Sequence, residues 1–431
     1  MTEEKKFHPF AGRDYRTYGT FELQDPIPSQ ITDPDQLSKF FDRFRIIPYA
    51  SVNVSTGDSL RNLRKRMMDF SPTHSGCING KNDAAFQGDI ELYRNNNFLR
   101  TGKVSDSDVS SYAEQFNKID FHDGVGYNDF LDVIGRSYQG LGECFVKVHM
   151  KLVQGEYQLS FSVMPHEFSY VALDANNKPF YLWCPQVLTY KLDNHETYPF
   201  YPTFQKEKLG WSSILHIKNG LGFYGVPSSS SSILEQYLEL QLPTYLVKQS
   251  ANNFVGQVFI ETEGEETGKG MVIDDQLKRE GIKNLATQFM QNFTAGGRNQ
   301  TVMVTERPFG TKQALVHQFQ PQTNEAFYIT MLELTRQEIV VSHGWSERLL
   351  GISKSDALGG EAEKSDYLKK MATVVPKLRY AILSPIDKVI QQWLKLNRYD
   401  SIADINQNIT NPLYAMYMKE MEKTTNDNTA L

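Results

Sequence analysis

Two long helical segments bracket a small insertion, and this order of parts constrains the chain more than anything else in it. Ser232 and Glu235 form a capping-box pattern opening a helix to about Asn253. At 1.5 Å per residue such a helix spans about 30 Å, and Pro243 within it predicts a kink. A second long helix is predicted from about Asn324 to His343, with Phe327, Met331, Leu334 and Val341 near one face. The insertion reads as a strand at Val258 to Thr262, a helix over 274–293 and a strand at 301–305. If the insertion is compact, the bracketing helices run antiparallel and carry it at the far end of a stalk. A lone stalk exposes too much flank, so it is expected to pack sideways against copies of itself. Head-to-tail packing that closes gives a ring.

The rest of the chain is mixed. Residues 1–40, rich in Asp, Pro, Ser and Thr, read as an extended arm. From Leu60 to Phe70 a helix is expected with Leu60, Leu63 and Met67 on one face. Arg61, Arg64, Lys65 and Arg66 lie around the rest, either as a solvated cationic face or as a face for an anionic partner. Residues 108–140 read as helical, with Tyr127, Leu131 and Ile134 at helical spacing. Strand-like runs follow at Glu143 to Lys151, Tyr157 to Met164, Phe168 to Leu173, Pro179 to Trp183 and Leu188 to Leu192. Turn residues separate them, which predicts an antiparallel meander in an α+β domain. A short strand at Ser213 to Lys218 leads into a glycine-rich turn, Asn219 to Pro227. A final helix from about Ser365 to Leu396 is expected to bend where Pro376 and Pro385 each remove a backbone donor.

The enzyme-like motifs of the sequence read as structural. Gly220, Gly222 and Gly225 match G-x-G-x-x-G between a strand and a helix, but Pro227 and a serine run separate the glycines from the helix. The acids of the next strand, Glu261 and Glu263, come about 40 residues on, twice the separation a ribose-binding acid needs. Gly264 to Gly270 (GEETGKG) has three residues between its first glycines and Gly270 where a magnesium-binding hydroxyl belongs, so it reads as a charged hairpin tip. The nine histidines are dispersed, and adjacent Ser342 and His343 point about 100° apart on a helix. Cys77, Cys144 and Cys184 have no knuckle spacing, which points to neither a disulfide framework nor a metal site. No apolar run is long enough to span a bilayer, and no secretory signal opens the sequence. With 45 Lys plus Arg against 51 Asp plus Glu, the net charge is -6, which disfavours tight non-specific binding to DNA phosphates without excluding a protein that lets DNA pass.

Several local patterns, taken in order, resemble the portal, or head-to-tail connector, family of tailed bacteriophages. They are His216 on a strand, then Tyr224 to Pro227 (YGVP) leading into the long helix; residues 252–260 (NNFVGQVFI); 296–304 (GGRNQTVMV); 336–351 (RQEIVVSHGWSERLLG); and 382–394 (ILSPIDKVIQQWL). The resemblance spans about residues 210–396. Ser346 and Glu347 stand where many members carry prolines, and the C-terminal section is short.

The resemblance implies a portal-like ring subunit of α+β class. Residues 1–40 would be the arm and 41–231 the wing. Residues 232–256 and 321–344 would be the two stem helices, with the clip at 257–320 between them. A tunnel loop at 345–366 would follow, then a bent helix of wing and crown at 367–399 and a tail at 400–431. It implies no cofactor, no metal and no catalysis. It also implies a homo-oligomeric ring, usually of twelve, at one capsid vertex of the virion, assembled in the host cytoplasm. Double-stranded DNA would pass through the ring during packaging and ejection. The terminase large subunit would dock on the clip first and the head-tail adaptor later, with major capsid and scaffolding protein around the ring and no membrane involved. Ser353, Lys354, Ser355, Asp356, Glu361, Glu363 and Lys364 would line the channel in the tunnel loop, where Gly359 and Gly360 give backbone freedom. Glu261, Glu263, Glu265, Glu266, Lys269 and Arg298 would face the motor or adaptor from the clip. Two other readings remain at this stage: a ring-forming virion protein with no DNA path, and a dinucleotide-binding enzyme using Gly220, Gly222 and Gly225.

Overall fold

A computed structural model describes residues 45–47, 54–96, 99–122, 124–183, 195–207, 210–251, 258–263, 302–307, 316–318, 325–352 and 361–419. The predicted arm, the helix over 274–293, the strand at Leu188 to Leu192, the GEETGKG turn and Cys184 lie outside these residues.

The N-terminal part opens with helices α1 (Val54–Phe70) and α2 (Pro72–Phe86), strands β1 (Asp89–Asn96) and β2 (Leu99–Lys103), then α3 (Asp106–Phe116), β3 (Asp120–Phe121) and α4 (Tyr127–Leu141). Strands β4 (Glu143–Val153), β5 (Glu156–Val163), β6 (Ser169–Leu173), β7 (Pro179–Trp183), β8 (Glu196–Pro199), β9 (Gln205–Glu207) and β10 (Gly210–Lys218) follow. They do not form one meander. A five-stranded sheet runs β3-β5-β4-β10-β9, while β6-β7-β8 form a second, three-stranded antiparallel sheet. The division falls at the 3-10 turn His166–Phe168, which carries the chain from one sheet to the other.

Alternation along β4 explains why both faces of its sheet are covered. Cys144, Val146, Val148 and Met150 point into the main core, while Phe145 points the other way, to Val171, Tyr181 and Tyr198 of the second sheet. Antiparallel β10 repeats the division, with Leu215 and Ile217 on one side and Ile214 on the other.

The main core is closed by α8 (Val375–Leu396), whose Ile382, Ile386, Val389, Ile390 and Trp393 recur at helical spacing and are buried. The single bent helix expected here is two helices: α7 (Glu361–Thr373) stops and α8 starts, with Pro376 in the first turn of α8. A proline is tolerated there because the first-turn N–H has no intrahelical acceptor, so Pro376 starts a helix where a bend was expected. Pro385 does lie inside α8. After it, β14 (Ile405–Thr410) returns to pair antiparallel with β1, from Asp89 opposite Thr410 to Arg94 opposite Ile405. This joins the two ends of the described chain in a sheet ordered β14-β1-β2. Residues 412–419 form a last helix.

Between these parts come α5 (Ile233–Ala251), the strands β11 (Val258–Glu263), β12 (Val302–Arg307) and β13 (Val316–Gln318), and α6 (Glu325–Ser342). β11 pairs parallel with β12 and antiparallel with β13. A parallel pair cannot be closed by a hairpin and needs a long connection, and 38 residues separate β11 from β12 in the sequence. Among the described residues no helix is long and apolar enough to cross a membrane.

Candidate functional site

The two long helices are antiparallel. Ser232 Oγ and Ser342 Oγ share a hydrogen bond of 2.6 Å, and Arg336 Nε lies 3.8 Å from Glu239 Oε1, so residue numbers fall along α6 as they rise along α5. The capping box does not form. Ser232 ends a short 3-10 turn, donates to the Ser229 carbonyl at 3.1 Å, and receives Gln236 Nε2 at 3.0 Å.

The stripe predicted for the second helix keeps Leu334 and Val341 on one face, and that face is turned outward. The side of α6 that packs inward presents Thr335, Ile339 and Val340, whereas Leu334 and Val341 are 56% and 70% exposed. Ile329 on α6 and Leu234 and Tyr237 on α5 are exposed as well. The pair therefore carries uncovered apolar surface along its outward flanks.

Inward, polar clamps hold the pair to α2. Glu239 is buried and accepts hydrogen bonds from Ser71 Oγ, from Thr73 N–H at 3.2 Å and from Thr73 Oγ1 at 2.6 Å. A carboxylate from α5 thus caps the N-terminus of α2, where the helix dipole favours an anion. At the end of α6, Lys81 Nζ donates to His343 Nδ1 at 2.8 Å, which leaves His343 Nε2–H to donate to His74 Nδ1 at 2.8 Å. Burial, reinforced by the Lys81 charge, holds His74 down at about 3 and His343 well below the imidazole range; burial also lowers Lys81 to about 8. Both imidazoles are neutral at pH 7, as the chain of donors requires. The next turn is seated too. A Cβ on Gly80 would stand 3.2 Å from Trp345 Nε1, and one on Gly76 would stand 3.4 Å from Leu350, so the two glycines make room for residues 345–350.

A third hub centres on Glu143, fully buried at the start of β4. It accepts from His166 Nε2 at 3.0 Å, His216 Nε2 at 2.7 Å and the Gly225 N–H at 2.8 Å. Burial pushes this carboxyl up, but the hydrogen bonds from the two histidines outweigh it and hold it at about 2. Burial, with the nearby Arg61 charge, holds His166 at about 4. The glycine turn is therefore structural: the Gly225 N–H is taken by Glu143, Lys218 bonds the Gly222 carbonyl, and Val226 N–H bonds the Asn219 carbonyl at 3.0 Å. No α-helix begins among Gly220, Gly222 and Gly225 to offer free N–H groups to a pyrophosphate.

Of the residues expected in a tunnel loop, Ser353, Lys354, Ser355 and Asp356 lie outside the described residues, as do Gly359 and Gly360. Glu361, Glu363 and Lys364 are not in a loop but in the first turn of α7, where the two acids complement the helix dipole. Lys364 Nζ lies 4.8 Å over the Tyr417 ring. Of the expected clip residues, Glu261 and Glu263 lie on β11, opposite Thr305 and Arg307 of β12. Glu265, Glu266, Lys269 and Arg298 lie outside the described residues. The α1 helix forms, but Arg61 is not on a solvated face. It is buried, donates to the carbonyls of His166 and Ser169 at 3.1 and 2.8 Å, and lies over the rings of Tyr170 and Tyr224. Among the described residues no cluster of His, Cys, Asp and Glu is arranged to hold a metal.

No protein-family model and no curated protein matches the chain. Solved structures do. A chain in the neck of an empty gene transfer agent particle, computed with C6 symmetry, is 13% identical over 82% of this chain and 86% of its own length, with a TM-score of 0.50. A chain of the native gene transfer agent virion is 12% identical over 86% and 89%, with a TM-score of 0.48. An HK97-family phage portal protein from Corynebacterium diphtheriae is 10% identical over 80% and 94%, with a TM-score of 0.38. At these identities the likeness is one of fold. The chain shares its fold, over most of its length, with a chain in the neck of a gene transfer agent particle.

Proposed function

We propose that the chain is a portal subunit: a non-enzymatic component of a ring at one capsid vertex that conducts double-stranded DNA into and out of the particle. The observation that carries this reading is the antiparallel pair α5 and α6, clamped to the body by Glu239 and His343 while Leu234, Tyr237, Ile329, Leu334 and Val341 stay exposed along its flanks. Apolar surface left in water costs about 25 cal/mol per Å². Flanks of this kind on a rod are covered when a second copy lies beside it, and repetition of one heterologous contact closes a ring. The neck with which the chain shares its fold was computed with C6 symmetry, which supports a multi-subunit ring.

In this reading the α5–α6 pair is the stem and the β11–β13 sheet belongs to the clip, on which the packaging motor and then the tail adaptor dock. The segment 353–360, between the seated turn at 345–352 and α7, forms the channel constriction with Lys354 and Asp356. A lining of mixed sign suits passage, because each phosphate contact that binds must be broken as the duplex advances. Substituting Asp356→Lys is expected to slow packaging at low salt, measured on single particles, and unchanged rates would count against the assignment. Electron microscopy of the purified assembly tests the ring itself. A closed ring with these helices between neighbours supports the reading, and an open or linear arrangement refutes it.

A further inference from the structure

The chain leaves the seated turn at Ile352 and is next described at Glu361, and one carboxylate ties the side it leaves to the side it reaches. Asp366 Oδ2 on α7 accepts from Ser346 Oγ at 2.8 Å and lies 3.5 Å from Arg348 Nη1. Both partners belong to the turn for which Gly76 and Gly80 of α2 make room. Three backbone bonds close that turn. Leu350 N–H donates to the Glu347 carbonyl at 3.2 Å, Gly351 N–H to the Arg348 carbonyl at 3.0 Å, and Ile352 N–H to the Glu347 carbonyl at 3.1 Å. A second contact steadies α7 from the last helix: Lys364 Nζ lies 4.8 Å over the Tyr417 ring, and the Tyr367 ring meets it edge-on at 5.8 Å.

We infer that Asp366 is a positioning residue for DNA passage: by clasping the turn at 345–352 to α7 it holds the two ends of the segment 353–360 near one place. The inference rests on the reading of that segment as the channel constriction. Its physical basis is reach. Eight residues strung between separate anchors span up to about 28 Å, whereas with their ends held together they project by about half of that. A constriction needs a fixed projection, because the segment has to stand at one distance from the duplex axis in every copy of the ring. The helix dipole does not account for Asp366. Glu361 and Glu363 are the acids of the first turn of α7, and Asp366 lies beyond them. The side chains of Arg348 and Asp366 are 39% and 24% exposed, so water screens their ion pair and the Ser346 hydrogen bond carries most of the hold.

Hydrogen exchange of the full chain tests the clasp, read at the amides of Leu350, Gly351 and Ile352. In Asp366→Ala these are expected to exchange roughly three- to tenfold faster, with the melting temperature nearly unchanged because the main core is untouched. Ser346→Ala should act to a similar degree. The double variant should exchange no faster than Asp366→Ala alone, because both changes break one contact. Asp366→Asn keeps an oxygen for Ser346 and should restore most of the protection. Single-particle packaging at low salt then reads the positioning: Asp366→Ala is expected to slow it, and Asp366→Asn to run close to wild type. Unchanged exchange in Asp366→Ala, or fully additive effects of the two alanines, would overturn the clasp. Faster exchange with unaltered packaging would instead overturn the role of 353–360 as the constriction, so the two failures are told apart.

Discussion

Glu143 shows how much of the fold a single buried charge can organise. It ties β4 to the 3-10 turn through His166, to β10 through His216 and to the glycine turn through Gly225. Glu143→Ala leaves two imidazole donors and a backbone N–H buried without an acceptor, and is expected to cost on the order of 3–5 kcal/mol in denaturant unfolding. Acid acts on the same hubs. Glu143 is held at about 2 against an ordinary 4.5, so its contribution is present above about pH 4.5 and is lost as pH falls through 2. His166 and His74, held at about 4 and 3 against 6.5, become unfavourable to the fold as pH drops below 6.5, because the unfolded chain takes up their protons first. Thermal melts should therefore show a Tm falling steadily from pH 7 to pH 4, and a flat profile would contradict these assignments. None of these hubs was legible in the sequence. The histidines looked isolated because His74 and His343 stand 269 positions apart and Glu143 and His216 stand 73 apart; only the fold brings them together.

Among the elements, the legible ones were those whose apolar period matched their structure. The alternating β4 and β5 fall within a few residues of expectation, as does the C-terminal end of α8, because one face of each meets the core. α2 was missed for the opposite reason. Its sequence, PTHSGCINGKNDAAF, has no apolar stripe and two helix-weakening glycines, yet Thr73, His74, Lys81 and Asn82 are buried because partners on α4, α5 and the end of α6 satisfy them. On α6 the sequence does not tell which flank is covered, since the exposed flank is as apolar as the buried one. Close approach fixes where α2 meets α4: a Cβ on Gly135 would stand 2.5 Å from Asn82 Oδ1 and 2.7 Å from Phe86. Gly135→Ala is thus expected to destabilise the fold by about 1–3 kcal/mol despite better helix propensity, read from chemical denaturation. A gain in stability would mean that the two helices adjust freely.

For the whole molecule, the order of parts said more than any motif. Long helices around a small insertion predicted the antiparallel pair, and the structure contains it. Assembly is decided on the outward flank of the α5–α6 pair. Leu334→Asp with Val341→Asp adds two charges to the outward flank of α6 without touching the buried clamps. It should leave the melting temperature of the isolated chain nearly unchanged while abolishing assembly, as read by sedimentation. The most direct test is the mass of the purified wild-type chain by light scattering at moderate salt. The account predicts a discrete ring-sized species, about 590 kDa if twelve copies of 49.4 kDa assemble. A stable species of 49.4 kDa at every concentration would contradict it.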